Sequence, residues 1–266
     1  MKIGVFDSGV GGLTVLRALM DRIPEVDYLY LGDTARLPYG AKSRTTVARY
    51  AASSARFLVG EGAEFLVIAC NTASALALDA IRDAASVPVL GVVETGANAA
   101  QVSSDTRDVM VMATAATVES HAYAAACAVR GLRTIEKACP LLVPLVEEGW
   151  IEHPVTSEVL RIYLAELMEQ ARAAELHPDT LVLGCTHYPL LRTQIERAVP
   201  ETLQVIDSAA VTAAQVERRL GILRGAVNGA RPARFFATDS VVKFRTLGSR
   251  FLGRAIDDVE LVDLGN

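Results

Sequence analysis

The sequence predicts an α/β fold with parallel strands arranged in two similar halves. Three observations carry this expectation. Short runs rich in Val, Ile and Leu alternate with amphipathic segments through most of the 266 residues. The apolar runs are apolar throughout rather than alternating, as in strands covered on both faces. Finally, one strand–Cys–helix unit occurs twice. Phe65-Leu66-Val67-Ile68-Ala69-Cys70-Asn71-Thr72 and Thr180-Leu181-Val182-Leu183-Gly184-Cys185-Thr186-His187 align on their cysteines, pairing Leu66 with Leu181, Val67 with Val182 and Ile68 with Leu183.

Taken in order, the predicted strands are Lys2–Phe6, Tyr28–Leu31, Phe65–Ala69, Val87–Val92, Val109–Ala113, Thr180–Gly184 and Leu203–Ile206. The predicted helices are Thr14–Arg22, Arg44–Glu61, Ser74–Asp83, Ser157–Ala174 and Leu191–Val199, each with apolar residues at helical spacing. The chain is long enough for one large or two small α/β domains, and no low-complexity linker divides it.

Composition narrows the function. Hydrophobic residues make up 51% and charged residues 21%, as in an ordinary globular protein, and the net charge is −5. A nucleic-acid-coating surface needs a basic patch and is not expected. A small acidic substrate needs only a local cluster of donors. The apolar run of MKIGVFD is too short for a signal peptide and reads as a first buried strand, and no uninterrupted apolar run would span a bilayer. The expected location is the cytoplasm, without membrane or nucleic-acid partners.

The four cysteines are Cys70, Cys127, Cys139 and Cys185. None forms a C-x-x-C pair, so zinc-knuckle and thioredoxin chemistry are not indicated. A lone cysteine is ordinarily a buried structural thiol. Core packing, however, does not call for the same residue at the same strand end twice, and ligands of open α/β sheets bind beyond the carboxyl ends of their strands. A facing pair of thiols suits racemisation, which removes a proton from one face of a stereocentre and returns one to the other. A thiol with a reference pKa of about 8.5 populates both forms near neutrality, and the helix following each cysteine is expected to favour thiolate through its N-terminal dipole.

The turn Asp7-Ser8-Gly9-Val10-Gly11-Gly12 opens a helix and raises a dinucleotide-binding alternative. Its spacing is not G-x-G-x-x-G, and Asp7 would repel a pyrophosphate. It reads either as a tight turn capped by Ser8 or Asp7, or as a carboxylate beside a thiol with Ser8 bonding substrate. His187, two residues after Cys185, shares a strand-end loop with a candidate base. Glu147 alone would pass for surface charge.

These motifs together resemble the glutamate racemases of the aspartate/glutamate racemase superfamily. The resemblance covers Asp7-Ser8-Gly9-Val10-Gly11-Gly12, Gly32-Asp33-Thr34, Pro38-Tyr39-Gly40, Ala69-Cys70-Asn71-Thr72-Ala73, Cys139-Pro140, Pro144-Leu145-Val146-Glu147 and Leu183-Gly184-Cys185-Thr186-His187-Tyr188-Pro189-Leu190. It continues through Phe235-Phe236-Ala237-Thr238-Asp239, Lys243-Phe244 and Phe251-Leu252-Gly253. It implies two similar doubly wound domains with mainly parallel sheets and the active site in the cleft between them, residues 1–94 plus 208–266 forming one and 95–207 the other. It also implies direct 1,1-proton transfer on glutamate with no cofactor and no metal. Cys70 would be the base acting on D-glutamate and Cys185 the base acting on L-glutamate, assisted by Asp7 and His187 respectively, with Glu147 supporting. Asp7-Ser8, Tyr39-Gly40, Asn71-Thr72 and Thr186-His187 match the family's substrate-binding positions. A homodimer and a role in supplying D-glutamate for peptidoglycan follow from the same resemblance.

Two departures stand out. Ala113-Thr114-Ala115-Ala116-Thr117-Val118 has Ala where the family usually carries Gly, so its contacts are left unassigned. The chain opens almost directly on the first strand, so regulation by a cell-wall precursor, which in some members accompanies an N-terminal extension, is not expected. The alternatives are an aspartate or hydantoin racemase of the same superfamily, a nucleotide-binding oxidoreductase and a gyrase-binding protein.

Overall fold

The first strand, β1 (Lys2–Asp7), is buried on both faces from Ile3 onward, and that burial explains its unbroken apolar run. The computed structural model describes residues 1–221 and 233–265. In chain order β1 is followed by α1 (Leu13–Arg22), β2 (Asp27–Gly32), α2 (Arg44–Gly60), β3 (Phe65–Ile68), α3 (Asn71–Ala84), β4 (Val89–Gly91) and α4 (Val92–Ser103). Then come β5 (Asp108–Ala113), α5 (Ala115–Glu119), α6 (Ala122–Ala128), β6 (Arg133–Ala138), α7 (Leu142–Glu147), α8 (Pro154–Ala173), β7 (Thr180–Gly184), α9 (Arg192–Ala198) and β8 (Gln204–Asp207). The chain closes with α10 (Ser208–Leu220), β9 (Ala233–Ala237), α11 (Val241–Leu252) and β10 (Glu260–Leu261). Short 3-10 turns lie at Thr34–Arg36, Tyr39–Ala41 and Tyr188–Leu191.

The described strands form two sheets, ordered β10-β9-β2-β1-β3-β4 and β6-β5-β7-β8. All their pairings are parallel. This is the α/β architecture the apolar runs predict. The first sheet draws on residues before α4 and after α10, the second on those between, and α4 and α10 carry the chain across. The two crossing helices touch, with Thr95 Oγ1 2.6 Å from Thr212 Oγ1. Helix α10 also packs on α1, where Arg22 Nε donates to Glu217 at 2.5 Å.

Register aligns the strand ends that matter. Asp7 lies opposite Gly32, and Phe6 opposite Ile68. In the second sheet Ala113 lies opposite both Gly184 and Ala138. The carboxyl ends of β1, β2 and β3 therefore form one ledge, and those of β5, β6 and β7 another.

Several elements were not predicted. Strand β6, Arg-Thr-Ile-Glu-Lys-Ala, is a part-exposed sheet edge, so it carries charges in place of an apolar run. The predicted strand Val87–Val92 ends at Gly91, and α4 starts immediately, with Glu94 in its first turn. Helix α10 is capped by Asp207, whose Oδ1 accepts from Ala209 N at 2.7 Å, and closes on Gly221 at φ 61°.

Asp179 ties the loop before β7 to the end of α4. It accepts from Ser104 Oγ at 2.7 Å, Asp105 N at 2.8 Å, Thr106 N at 2.9 Å and Thr180 Oγ1 at 3.1 Å. Burial alone would raise its pKa, but these donors outweigh burial and hold the carboxyl at about 2. A folded-state pKa below the unfolded value means that the stabilisation is complete above about pH 4 and is lost as pH falls toward 2. Urea unfolding across that interval is expected to show a shallower acid-side loss for Asp179→Asn than for the parent chain.

Candidate active site

At the end of β1 the backbone turns so tightly that side chains are excluded. A Cβ on Gly12 would sit 2.5 Å from Asp7 Cβ and 2.9 Å from Ala69 Cβ, and one on Gly32 would sit 2.4 Å from the Gly9 carbonyl. Tyr30 OH donates to that carbonyl at 2.9 Å. Close packing of the protein on itself therefore accounts for the glycines, which removes the observation that favoured a dinucleotide site.

Asp7 is only 2% exposed. Its Oδ2 accepts from Gly9 N at 2.8 Å, while Oδ1 is buried without a hydrogen-bond partner. Burial pushes this carboxyl above its ordinary range, against the Gly9 hydrogen bond and the charge of His187, which both pull it down. Cys70 stands beside it as the N-cap of α3: Ala73 N donates to Sγ at 3.4 Å, and Sγ lies 3.5 Å from Ser8 Oγ. Burial, and then the Asp7 charge, push the Cys70 thiol up to about 12. The helix terminus does favour thiolate, as expected, but it is not the largest influence here. The amide of Ala73 does lower the pKa, but desolvation is larger.

The loop after β2 is built on Asp33, which is fully buried. Tyr39 OH donates to Asp33 Oδ2 at 2.5 Å, Thr238 Oγ1 donates to Oδ1 at 3.0 Å, and Arg36 Nε lies within 2.9 Å. The Tyr39 phenol is committed to Asp33, which leaves its ring and backbone to meet a ligand. The next residue, Gly40, faces the second sheet, its Cβ position 3.6 Å from Thr114.

Thr72 reaches across as well. Its Oγ1 is 3.0 Å from Thr114 Oγ1 and 3.3 Å from Thr117 Oγ1, and those two are 2.9 Å apart. Thr114 and Thr117 belong to the segment whose contacts the sequence left unassigned; the signal was two threonines three apart at the end of a strand. Asn71 Oδ1 accepts from Tyr123 OH at 2.7 Å, and its Nδ2 is buried with no partner.

On the second ledge Cys185 Sγ lies 3.9 Å from His187 Nδ1, which is also 3.4 Å from Thr186 Oγ1. His187 Nε2 meets Glu147 Oε1 at 3.2 Å, and Lys243 Nζ stands 3.8 Å from Glu147 Oε2. Burial would lower the His187 pKa, but hydrogen bonds to Cys185 and Glu147, with their charges, outweigh it and push it up to about 10. The His187 bond in turn lowers Glu147, against its own burial and with help from Lys243. Tyr188 OH donates to the carbonyls of Ala113 at 3.2 Å and Cys139 at 3.0 Å, pinning this loop to the ends of β5 and β6.

Two further contacts join the ledges. Thr14 Oγ1 bonds the Thr186 carbonyl at 3.0 Å, and a Cβ on Gly11 would fall 2.2 Å from Thr186 Oγ1 and 2.6 Å from His187 Cε1. The fold thus gathers Asp7, Ser8, Cys70, Asn71 and Thr72 on one side and Cys185, Thr186, His187 and Glu147 on the other. Cys127 and Cys139 are free thiols packed in the core. Among the described residues no three His, Cys, Asp or Glu side chains are grouped to hold a metal ion, and no helix is long and apolar enough to cross a membrane.

The sequence profile of the Asp/Glu/Hydantoin racemase family matches residues 13–216. The chain belongs to this family. It is 54% identical to the glutamate racemase of Koribacter versatilis, over 99% of this chain and 97% of that one. Among solved racemases it resembles glutamate racemase from Thermus thermophilus in complex with β-chloro-D-alanine, at 44% identity and TM-score 0.86, covering 99% of this chain and 97% of that one. It also resembles glutamate racemase from Francisella tularensis in complex with D-glutamate, at 34% identity and TM-score 0.86 with the same coverage of both chains.

His187 and Glu147 generate a titration test. With a folded pKa raised above its unfolded value of about 6.5, His187 contributes stability that is complete below that value and lost as pH rises through about 10. In Glu147→Gln the carboxylate is gone, and the imidazole resonances of His187 are expected to titrate at lower pH than in the parent chain. Gly11→Ala tests the junction. The overpacked Cβ should cost about 1–3 kcal/mol in a urea titration, and a family member's racemase activity should fall with it.

Proposed function

We propose that this chain interconverts L- and D-glutamate by a two-base 1,1-proton transfer that uses Cys70 and Cys185 and no cofactor. The observation that carries the reading is the pair of cysteines at equivalent strand ends, each in a buried polar niche with its own acid–base partner. Asp7 is the partner of Cys70, and His187, backed by Glu147, is the partner of Cys185. Glutamate as substrate is supported by the 54% identity to a relative named glutamate racemase and by the likeness to a racemase solved with D-glutamate.

In the L-to-D direction Cys185 takes the α-proton as thiolate, and the electron pair of the broken C–H bond remains on the α-carbon. Cys70, which burial keeps as a thiol, delivers its proton to the opposite face. Turnover leaves Cys185 protonated and Cys70 as thiolate, the state required for the reverse reaction. To reset, Cys70 regains a proton by way of Asp7, and His187 exchanges one with Cys185. An α-proton between an ammonium and a carboxylate is a very weak acid, so developing negative charge must be met by fixed donors in a site without bulk water. The unpartnered Asn71 Nδ2 and the hydroxyls of Ser8, Thr72 and Thr186 are suited to the substrate carboxylates, with the backbone of Tyr39-Gly40 closing one side. Asp7 Oδ1 is suited to the ammonium. In this reading residues 1–94 with 208–266 and residues 95–207 form the two domains that flank the cleft. The protein acts in the cytoplasm as a homodimer, and its D-glutamate supplies peptidoglycan synthesis.

Circular dichroism of L-glutamate in chelator-treated buffer without pyridoxal phosphate tests the activity. In D2O the early D-product should carry α-deuterium while recovered L-glutamate carries little, because two separate bases serve the two faces. Cys70→Ser and Cys185→Ser are each expected to lower kcat/KM by about 10²- to 10⁴-fold. Turnover of aspartate but not glutamate would keep the mechanism and move the substrate, and unchanged racemisation in either variant would remove that thiol from the mechanism.

A further inference from the structure

Tyr123 lies outside both cysteine motifs, yet it touches each of them. It is fully buried on α6, in the second half of the chain. Its hydroxyl donates at 2.7 Å to Oδ1 of Asn71, the residue after Cys70. Its ring lies in a slot between two glycines. A Cβ on Gly96 would meet ring atom Cε1 at 3.0 Å, and one on Gly184, the residue before Cys185, would meet Cε2 at 3.0 Å. Gly96 inside α4 costs helix propensity, and the ring it admits explains its presence. At Gly184, in the Gly-Cys-Thr-His motif, the ring and the Met112 carbonyl, each 3.0 Å from a Cβ there, together leave no room for a side chain.

The hydrogen bond decides which end of the Asn71 amide faces which way. A primary amide offers one acceptor and two N–H donors. A donor on Oδ1 therefore turns Nδ2 away from Tyr123, and Nδ2 is buried without a protein partner. Burial pushes the Tyr123 phenol above its ordinary range, so the hydroxyl keeps its proton and remains a donor. Two unmet N–H donors beside Cys70 cost free energy in the free protein and are what an incoming carboxylate would satisfy.

We infer that Tyr123 is a positioning residue: by bonding Asn71 Oδ1 from a slot floored by Gly184, it fixes the Asn71 amide with its N–H donors toward the substrate and holds the two cysteine loops in relation to each other. The inference rests on the racemase reading for what Asn71 binds, but not for the hydrogen bond itself.

A double-mutant cycle on the full chain tests it. Tyr123→Phe keeps the ring and removes the donor. Its kcat/KM for glutamate is expected to fall about tenfold, mainly as a rise in KM, because the amide is free to present its carbonyl to a carboxylate. In an Asn71→Ala background the same substitution should change kcat/KM less than twofold. Equal losses in the two backgrounds would overturn the inference, since Tyr123 would then act independently of Asn71. So would an unchanged KM in the single variant. A second readout needs no turnover: the Asn71 side-chain amide resonances, identified by their absence in Asn71→Ala, should shift or broaden in Tyr123→Phe. An inactive parent chain with that shift would sink the glutamate reading alone, whereas an unperturbed amide would sink the positioning role alone.

Discussion

The site depends on the contact at Gly11. Two parallel sheets, each closed by its own helices, have no intrinsic reason to present their strand ends to one another at a fixed distance. Here the turn after β1 comes so close to the Thr186–His187 loop that even one methyl group at Gly11 would overlap a hydroxyl and an imidazole. Thr14 fastens the same approach with a hydrogen bond to the Thr186 carbonyl. Because Asp7 and Ser8 precede Gly11 by only a few residues and Cys185 immediately precedes Thr186, this contact, together with the Thr72–Thr114 and Asn71–Tyr123 hydrogen bonds, sets how the Cys70 ledge faces the Cys185 ledge. The charges register it too, for His187 on one side pulls down the pKa of Asp7 on the other.

The two thiols are alike in placement and unlike in surroundings. Cys70 has a buried carboxylate as its charged neighbour, and the sulfur is driven toward the neutral thiol. Cys185 has an imidazole whose pKa is about 10, so at neutral pH a cation stands beside the sulfur. The repeat in the sequence supplied two equivalent strand ends, and the residues flanking them broke the equivalence. In the proposed two-base reaction, that asymmetry gives each sulfur a different charged neighbour, a carboxylate at Cys70 and an imidazole at Cys185. The helix terminus lowers the Cys70 pKa, as its dipole should, but burial outweighs it there. A partial charge at the end of a helix is a smaller effect than removing a thiolate from water.

Strands β1, β2, β3, β5 and β7 were legible because burial on both faces leaves continuous apolar runs. The edge strands β4 and β8 were also read, as Val87–Val92 and Leu203–Ile206, but the edge strands β6 and β10 were not: β6 carries Arg133, Glu136 and Lys137, and β10 has two residues, both exposed. Helices α4 and α10 were hidden because each begins directly at a strand end, where strand and helix patterns merge. At the site, the residues adjacent to the cysteines were legible in the motifs. Thr114, Thr117 and Tyr123 were not, since they reach the motifs across space from the end of β5, from α5 and from α6. Beyond the three-residue spacing of the threonines at a strand end, nothing in their local sequence distinguishes them or the tyrosine from core residues. Tyr39 shows the converse, a motif residue whose polar atom the fold spends on Asp33 rather than on a ligand.

The donors gathered here are mostly neutral, and this bears on how such a site handles charge. An arginine buried beside the substrate carboxylates would bind them strongly, but it would do so equally before and during proton removal, which strengthens binding without lowering the barrier. It would also have to be desolvated in the free protein. Amide and hydroxyl dipoles held in place by one another avoid that cost. Thr72, Thr114 and Thr117 satisfy one another in a ring, and Asn71 is oriented by Tyr123, so the free protein carries little uncompensated charge at this wall. Dipoles already oriented need not reorganise when charge develops on the α-carbon, which is where preorganisation gains over water. The positive charge that is present, on His187, stands beside the sulfur rather than at this donor wall, where it acts on the proton's acceptor instead of on the substrate's ground state.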